Sequence, residues 1–237
     1  MTHRHTLIFF AAAGLTSAAL LLPTSGLLAQ NWTTVTNDRY PIVTGSGRVV
    51  QQVRPVSAYQ RVETAGSADV QIRFGPRPSL MIAADDNILP LLTTQVRNGT
   101  LHLGNRGSFR MRGPIRVWIT TPSLDSFESS GSGQVTINGV NNRRLALTFN
   151  GSGGVQATGR TGNLSLDIHG SGRAALAGLV AQNAKVGLYG SGDATVRTPG
   201  TLDAQVFGSG TIRYVGRPSN LRQQRFGSGR IIPANRG

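Results

Sequence analysis

Apolar and polar residues alternate along the second half of the chain in short, regular bursts. Leu145, Leu147 and Phe149 alternate with Ala146, Thr148 and Asn150. Leu164, Leu166 and Ile168 alternate with Ser165, Asp167 and His169. Ala184, Val186 and Leu188 repeat the pattern, as do Leu202, Ala204 and Val206. An apolar period of two predicts a strand with one buried face. Each burst runs into Gly-Ser-Gly, and a shorter alternation follows: Val135 and Ile137, Val155 and Ala157, Ala174 and Leu176, Ala194 and Val196, Ile212 and Tyr214. A polar turn then closes the unit, as at Asn138-Gly139, Thr158-Gly159, Gly178, Pro199-Gly200 and Gly216-Arg217-Pro218.

The tripeptides are Gly131-Ser132-Gly133, Gly151-Ser152-Gly153, Gly170-Ser171-Gly172, Gly190-Ser191-Gly192, Gly208-Ser209-Gly210 and Gly227-Ser228-Gly229, at steps of 20, 19, 20, 18 and 19 residues. A near-constant period of this size marks a stacked repeat. One unit cannot close a core alone, but stacked units bury a continuous column. Two architectures fit: a β-solenoid with parallel rungs, and an antiparallel meander of hairpins. Constant spacing favours the solenoid, because hairpins tolerate uneven loops and prefer Asn-Gly or Asp-Gly turns. The predicted fold is all-β, a parallel β-solenoid with rungs of about 19 residues.

In that fold the tripeptides are structural corners. Glycine enters positive φ at little cost, and the serines fall one above another. A phosphate-binding loop needs a following helix to orient its N–H groups; Asp193-Ala194-Thr195-Val196 reads as strand. Calcium-binding repeats run in nonapeptides with an aspartate two residues beyond the second glycine. Here the period is twice that, and Asp193 follows Gly192 directly without an equivalent in the other units.

The front half is less regular. Tyr59 to Thr64 leads to Gly66-Ser67-Ala68, then Val70, Ile72 and Phe74, which is the same unit with alanine for the second glycine. Leu80-Met81-Ile82 and Ile115 to Ile119 read as strands. Gln95 to Leu103 reads as a hairpin over Asn98-Gly99. Asp85-Asp86-Asn87 has the composition of a helix start, and Pro90 keeps that helix short. The expected organisation is a single domain over 54–237. In it, 54–124 form wider rungs and an irregular N-terminal cap, and 125–237 form the Gly-Ser-Gly repeats. Residues 30–53 are expected to be a flexible segment containing Gly45-Ser46-Gly47. At the far end, Leu221, Gln223 and Arg225 take the inward positions, a polar finish suited to a terminal rung.

Four stretches carry a family resemblance: Val62 to Ile72, Met81 to Leu89, Asn98 to Leu103, and Val117 to Leu124. In this order, ahead of the Ser-Gly-Ser-Gly repeats, they resemble the putative auto-transporter adhesin head domain, or GIN domain, from about residue 54 onward. The resemblance implies a right-handed β-helix in a bacterial envelope or secreted protein, and it brings no catalytic residues. An auto-transporter also carries a C-terminal membrane barrel, which the residues after Gly229 do not supply.

Composition adds export. Arg4 and His5 precede an apolar run from Leu7 to Leu22, followed by Leu27-Leu28-Ala29. This is the layout of a secretory signal over 1–29 with cleavage after Ala29; the alternative is a retained membrane anchor. The expected location is the periplasm, the outer surface or the medium, with no integral span after cleavage. Cysteine is absent, which removes disulfides, thiol nucleophiles and a bacterial lipid anchor. Net charge is +14, almost all from arginine, with Lys185 the only lysine. The charge suits a phosphate- or carboxylate-rich partner, namely acidic glycan, lipopolysaccharide or an envelope protein. Export makes nucleic acid an unsuitable one. The competing explanation is GC-rich codon usage with scattered solvated charge, since Arg143-Arg144 is the only adjacent basic pair.

Catalytic chemistry finds no foothold in the repeats. Asp167 has Thr148 and Gly187 as column neighbours, and Asp125 and Asp203 share a strand position about four rungs, or roughly 19 Å, apart. Beyond the signal segment the histidines are His102 and His169, too few for a triad or a metal site. No catalytic residue, metal ligand or cofactor is expected. The candidate binding surface is the outward column before each corner, where His169, Tyr189, Phe207 and Phe226 succeed one another. Arg173, Arg213, Arg222 and Arg230 lie nearby as a charged rim. Stacked rings also serve solenoids as purely structural ladders. The expected function is a non-enzymatic adhesin-like binding module; the alternative is a β-helix lyase or hydrolase acting on polysaccharide.

Overall fold

A computed structural model of the chain describes residues 42–234. The expected signal segment, its cleavage site and residues 30–41 lie outside the described residues.

The repeats form coils stacked in parallel. Ser126–Gly131 pairs in register with the last leg of Gln134–Gly151, which stacks on Gly154–Gly170, which stacks on Arg173–Gly190. Numbered in chain order these are β10, β11, β12 and β13. Asp193–Arg197 (β14), Thr201–Gly208 (β15), Thr211–Val215 (β16), Asn220–Phe226 (β17) and Arg230–Pro233 (β18) continue the stack to its C-terminal end. Every pairing among these strands is parallel, so the meander is excluded.

Alternation sets the core. Val62, Phe127, Leu147, Leu166, Val186 and Ala204 form one file up the leg before the corner, and all are buried. Val70, Val135, Val155, Ala174, Ala194 and Ile212 form a second file after it, also buried. At roughly 1.5–3 kcal/mol for each fully buried large aliphatic chain, every coil adds to a shared column. β11 and β12 shift register after Ile137 and Gln156, and a third short leg begins at Val140 and Gly159. In the last coil Gln223 and Arg225 stack over Ala204 and Val206, and all seven residues of β17 are exposed, as the polar finish predicts.

The front half supplies one coil and a cap. Arg61–Gly66 (β3) and Asp69–Phe74 (β4) are the two legs of the first coil, under β10 and β11. Thr100–Asn105 (β7) and Arg116–Thr121 (β9) stack in parallel on the other side of those legs. Beyond them the sense reverses. Leu92–Arg97 (β6) pairs antiparallel with β7, and Ser79–Asp85 (β5) pairs antiparallel with β9. Asn98 and Gly99 both have positive φ, as the tight hairpin between β6 and β7 requires. The expected short helix is a single 3₁₀ turn, Leu89–Leu91, with Pro90 inside it.

The segment expected to be flexible takes another form where it is described. Val43–Thr44 (β1) pairs with Phe109–Arg110 (β8), and Val49–Arg54 (β2) pairs antiparallel with β5. Asp86 and Asn87 hold the bend between β1 and β2. Ser46 Oγ and the Arg48 guanidinium donate to the Asp86 carboxylate, the Ser46 N–H donates to Asn87 Oδ1 at 2.9 Å, and Asn87 Nδ2 donates to the Thr44 carbonyl at 2.8 Å. Gly45-Ser46-Gly47 thus belongs to a latch over the cap.

Candidate functional site

In each leg before a corner the side chains point alternately in and out. The last outward position is therefore fixed relative to the first corner glycine. Parallel, in-register stacking turns that position into a file: Ala65, Ser130, Asn150, His169, Tyr189, Phe207 and Phe226. The four rings stack face to face. Their centroids are 4.6 Å apart for His169–Tyr189, 5.2 Å for Tyr189–Phe207 and 4.8 Å for Phe207–Phe226, with interplanar angles of 7°, 5° and 7°. These spacings match the strand separation, so the ladder follows from the backbone register.

Stacking occupies most of the ring faces. Tyr189 and Phe207 are 38% and 37% exposed and show mainly edges, whereas Phe226 ends the file at 59% exposed, its outer face free of a stacking partner among the described residues. Of the expected rim, Arg222 follows Lys185 and Asp203 in one file, and Arg173, Asp193 and Arg230 occupy another. Arg213 lies beside that second file and reaches Asp193 at 3.3 Å, so its charge is partly neutralised.

The corners are built from backbone. The Ser191 N–H donates to the Gly170 carbonyl at 3.0 Å, and the Ser209 N–H donates to the Gly190 carbonyl at 3.0 Å. Amides committed to the coil below are not free to cradle an anion. One serine pair, Ser191 and Ser209, joins through its hydroxyls at 3.1 Å.

Carboxylates fall differently from one expectation. Asp167 does sit between Thr148 and Gly187. Asp125 and Asp203 do not share a file: Asp203 stands over Lys185, Ser165, Ala146 and Ser126, one position further along, and Asp125 pairs with Arg144 at 3.3 Å. Glu63 and Glu128 are register neighbours, with His102 Nδ1 2.9 Å from Glu63 and Asn150 Nδ2 donating to Glu128 at 3.2 Å. The repeats alone do not show this pair, because Glu63 stands in the front half. Its signal was present, because both glutamates stand three residues before a corner glycine, at Gly66 and Gly131. The row is open to solvent, and no group of three metal-ligating side chains occurs among the described residues.

Residues 58–218 match the family model described as "Putative auto-transporter adhesin, head GIN domain". Among solved structures, a putative adhesin from Bacteroides fragilis is similar, at 22% identity over 81% of this chain and 100% of that one, with a TM-score of 0.66. A putative lipid binding protein from Parabacteroides distasonis is similar at 21% identity over 82% of this chain and 100% of that one, with a TM-score of 0.51. No curated protein matches the sequence.

Proposed function

We propose that this chain, which belongs to the auto-transporter adhesin head GIN domain family, is an exported, non-enzymatic binding module for an acidic glycan of the cell envelope. The exposed end of the aromatic ladder carries the reading. Among the described residues Phe226 offers one free ring face at 59% exposure, and Arg222 shares its outward parity on the same strand, with Arg230 on the next. The strands of the last coil, Asn220–Phe226 and Arg230–Pro233, carry arginines and no acidic side chain, with Asp203 beneath Arg222 in the coil before. A sugar ring stacks on an aromatic face, and its carboxylate or phosphate pairs with arginine. His169 and Tyr189 act as the rib that fixes the geometry of the terminal ring.

The test is binding of lipopolysaccharide and acidic polysaccharides by the full chain and by Phe226→Ala. We expect at least tenfold weaker binding at an unchanged melting temperature. Equal binding by Phe226→Ala overturns the assignment of the surface. The same incubations examine the enzymatic alternative, for which Glu63 and Glu128 are the paired carboxylates. New reducing ends that vanish in Glu128→Gln replace the binding reading with a hydrolase.

A further inference from the structure

The first corner differs from those that follow, because no corner lies beneath it. β7 and β9 stack on the two legs of the first coil, but the chain between them does not turn through Gly-Ser-Gly. It leaves as the loop 106–115, whose Phe109–Arg110 pairs with β1. A Cβ built on Gly66 meets no atom within 4 Å, whereas one on Gly131 falls 1.9 Å from the Gly66 carbonyl oxygen. Later corners donate to the coil below, as Ser132 does to Gly66 at 3.2 Å and Ser171 to Gly151 at 3.1 Å. Among the described residues the Ser67 and Ala68 N–H groups have no acceptor of this kind.

The missing corner leaves a cleft of about 210 Å³. Ile82, Leu103, Ile115 and Val117 form its buried wall, Met111 its half-open lip, and Ala65, Ser67 and Ala68 its corner side. The loop that closes it carries exposed Arg106, Arg110 and Arg112, and Arg116 follows; none has an ion pair among the described residues.

We propose that this cleft binds a single-chain anionic amphiphile, a fatty carboxylate in chemical class. Its alkyl chain lies against the apolar wall, and its head accepts from the Ser67 and Ala68 amides within the arginine-rich surround. The features are complementary in kind: a wall that gains from burying methylenes, unpaired donors at one edge, and positive charge around the mouth. Size sets the chain count. An apolar cavity of about 150 Å³ accepts benzene, so this one accepts one slender chain and excludes a two-chain lipid. The site lies at the opposite end of the column from Phe226 and does not depend on the glycan reading.

The test is calorimetric titration of the full chain with decanoate, with decyltrimethylammonium as the cationic control. Saturable decanoate binding, at least tenfold tighter than the control, is expected. Ala65 is exposed and lines the mouth, so Ala65→Trp obstructs it, and Met111→Glu places a like charge at the lip. Each is expected to weaken decanoate at least tenfold without moving the melting temperature. Absence of saturable binding, or equal binding by both variants, overturns the site. Capture on phosphatidylglycerol vesicles without decanoate binding also overturns it, in favour of a charged membrane-surface contact.

Discussion

The corner at Gly190-Ser191-Gly192 and the corner at Gly66-Ser67-Ala68 follow similar backbone paths in different neighbourhoods. Gly190 has φ of +140° and Gly66 has +101°. Beneath Gly190 lies the Gly170 carbonyl, 2.5 Å from where a Cβ would stand; around Gly66 there is open space. The comparison separates two reasons for glycine that coincide in the repeats: torsional freedom and the close approach of one coil to the next. Torsion acts at both corners, and close approach acts only where another corner lies beneath, as it also does at Gly227 over Gly208.

The largest expected effect breaks that comparison directly. Gly190→Val meets both penalties and is expected to cost roughly 3–5 kcal/mol. Gly66→Val meets torsion alone and is expected to cost about 1–3 kcal/mol. Thermal or urea unfolding of both variants measures the difference. Equal losses would mean that stacking adds nothing to the glycine requirement.

The middle and end of the column form a second contrast. Leu166 is fully buried between Leu147 and Val186, whereas Leu221, at the same parity in the last coil, is 37% exposed. Leu166→Ala is expected to cost about 2–5 kcal/mol, and Leu221→Ala below about 1 kcal/mol. If the two match under denaturant, the last coil is as tightly packed as the middle, and its polar inward residues need another explanation.

These contrasts also explain what could be read from sequence. The coils were legible because each repeats one pattern. Parity fixed Leu147, Leu166 and Val186 as core and His169, Tyr189 and Phe207 as an outward file, and stacking in register did the rest. The cap was legible only in pieces. The Asn98-Gly99 hairpin and the Pro90-limited turn are local, and they were found. The antiparallel pairing of β2 with β5 depends on partners about thirty residues apart and on side-chain bonds from Asp86 and Asn87, which no periodicity encodes. The cleft was invisible for a related reason. It arises where a repeat fails to turn, and the sequence between Asn105 and Arg116 does not show which coil it would have underpinned.

The smallest expected effect concerns how the two regions are fastened. Coils are joined by backbone ladders, which acid does not titrate. The segment from Gly45 to Arg48 is held through Asp86, whose carboxyl lies below its ordinary value of 3.8 because Ser46 and then Arg48 donate to its charged form. A depressed folded value stabilises the latch above the unfolded value and releases it as pH falls through the folded one. Acidification below 3.8 is therefore expected to raise amide exchange at Ser46 and Arg48 while the Ser191 and Ser209 amides stay protected. Ser46→Ala removes the first donor, so it should move the Asp86 titration toward 3.8 and bring the release to higher pH, with little change in the global melting temperature. Exchange that rises equally in the coils and the latch would show that acid unfolds the column as a whole and that the cap is not separately fastened.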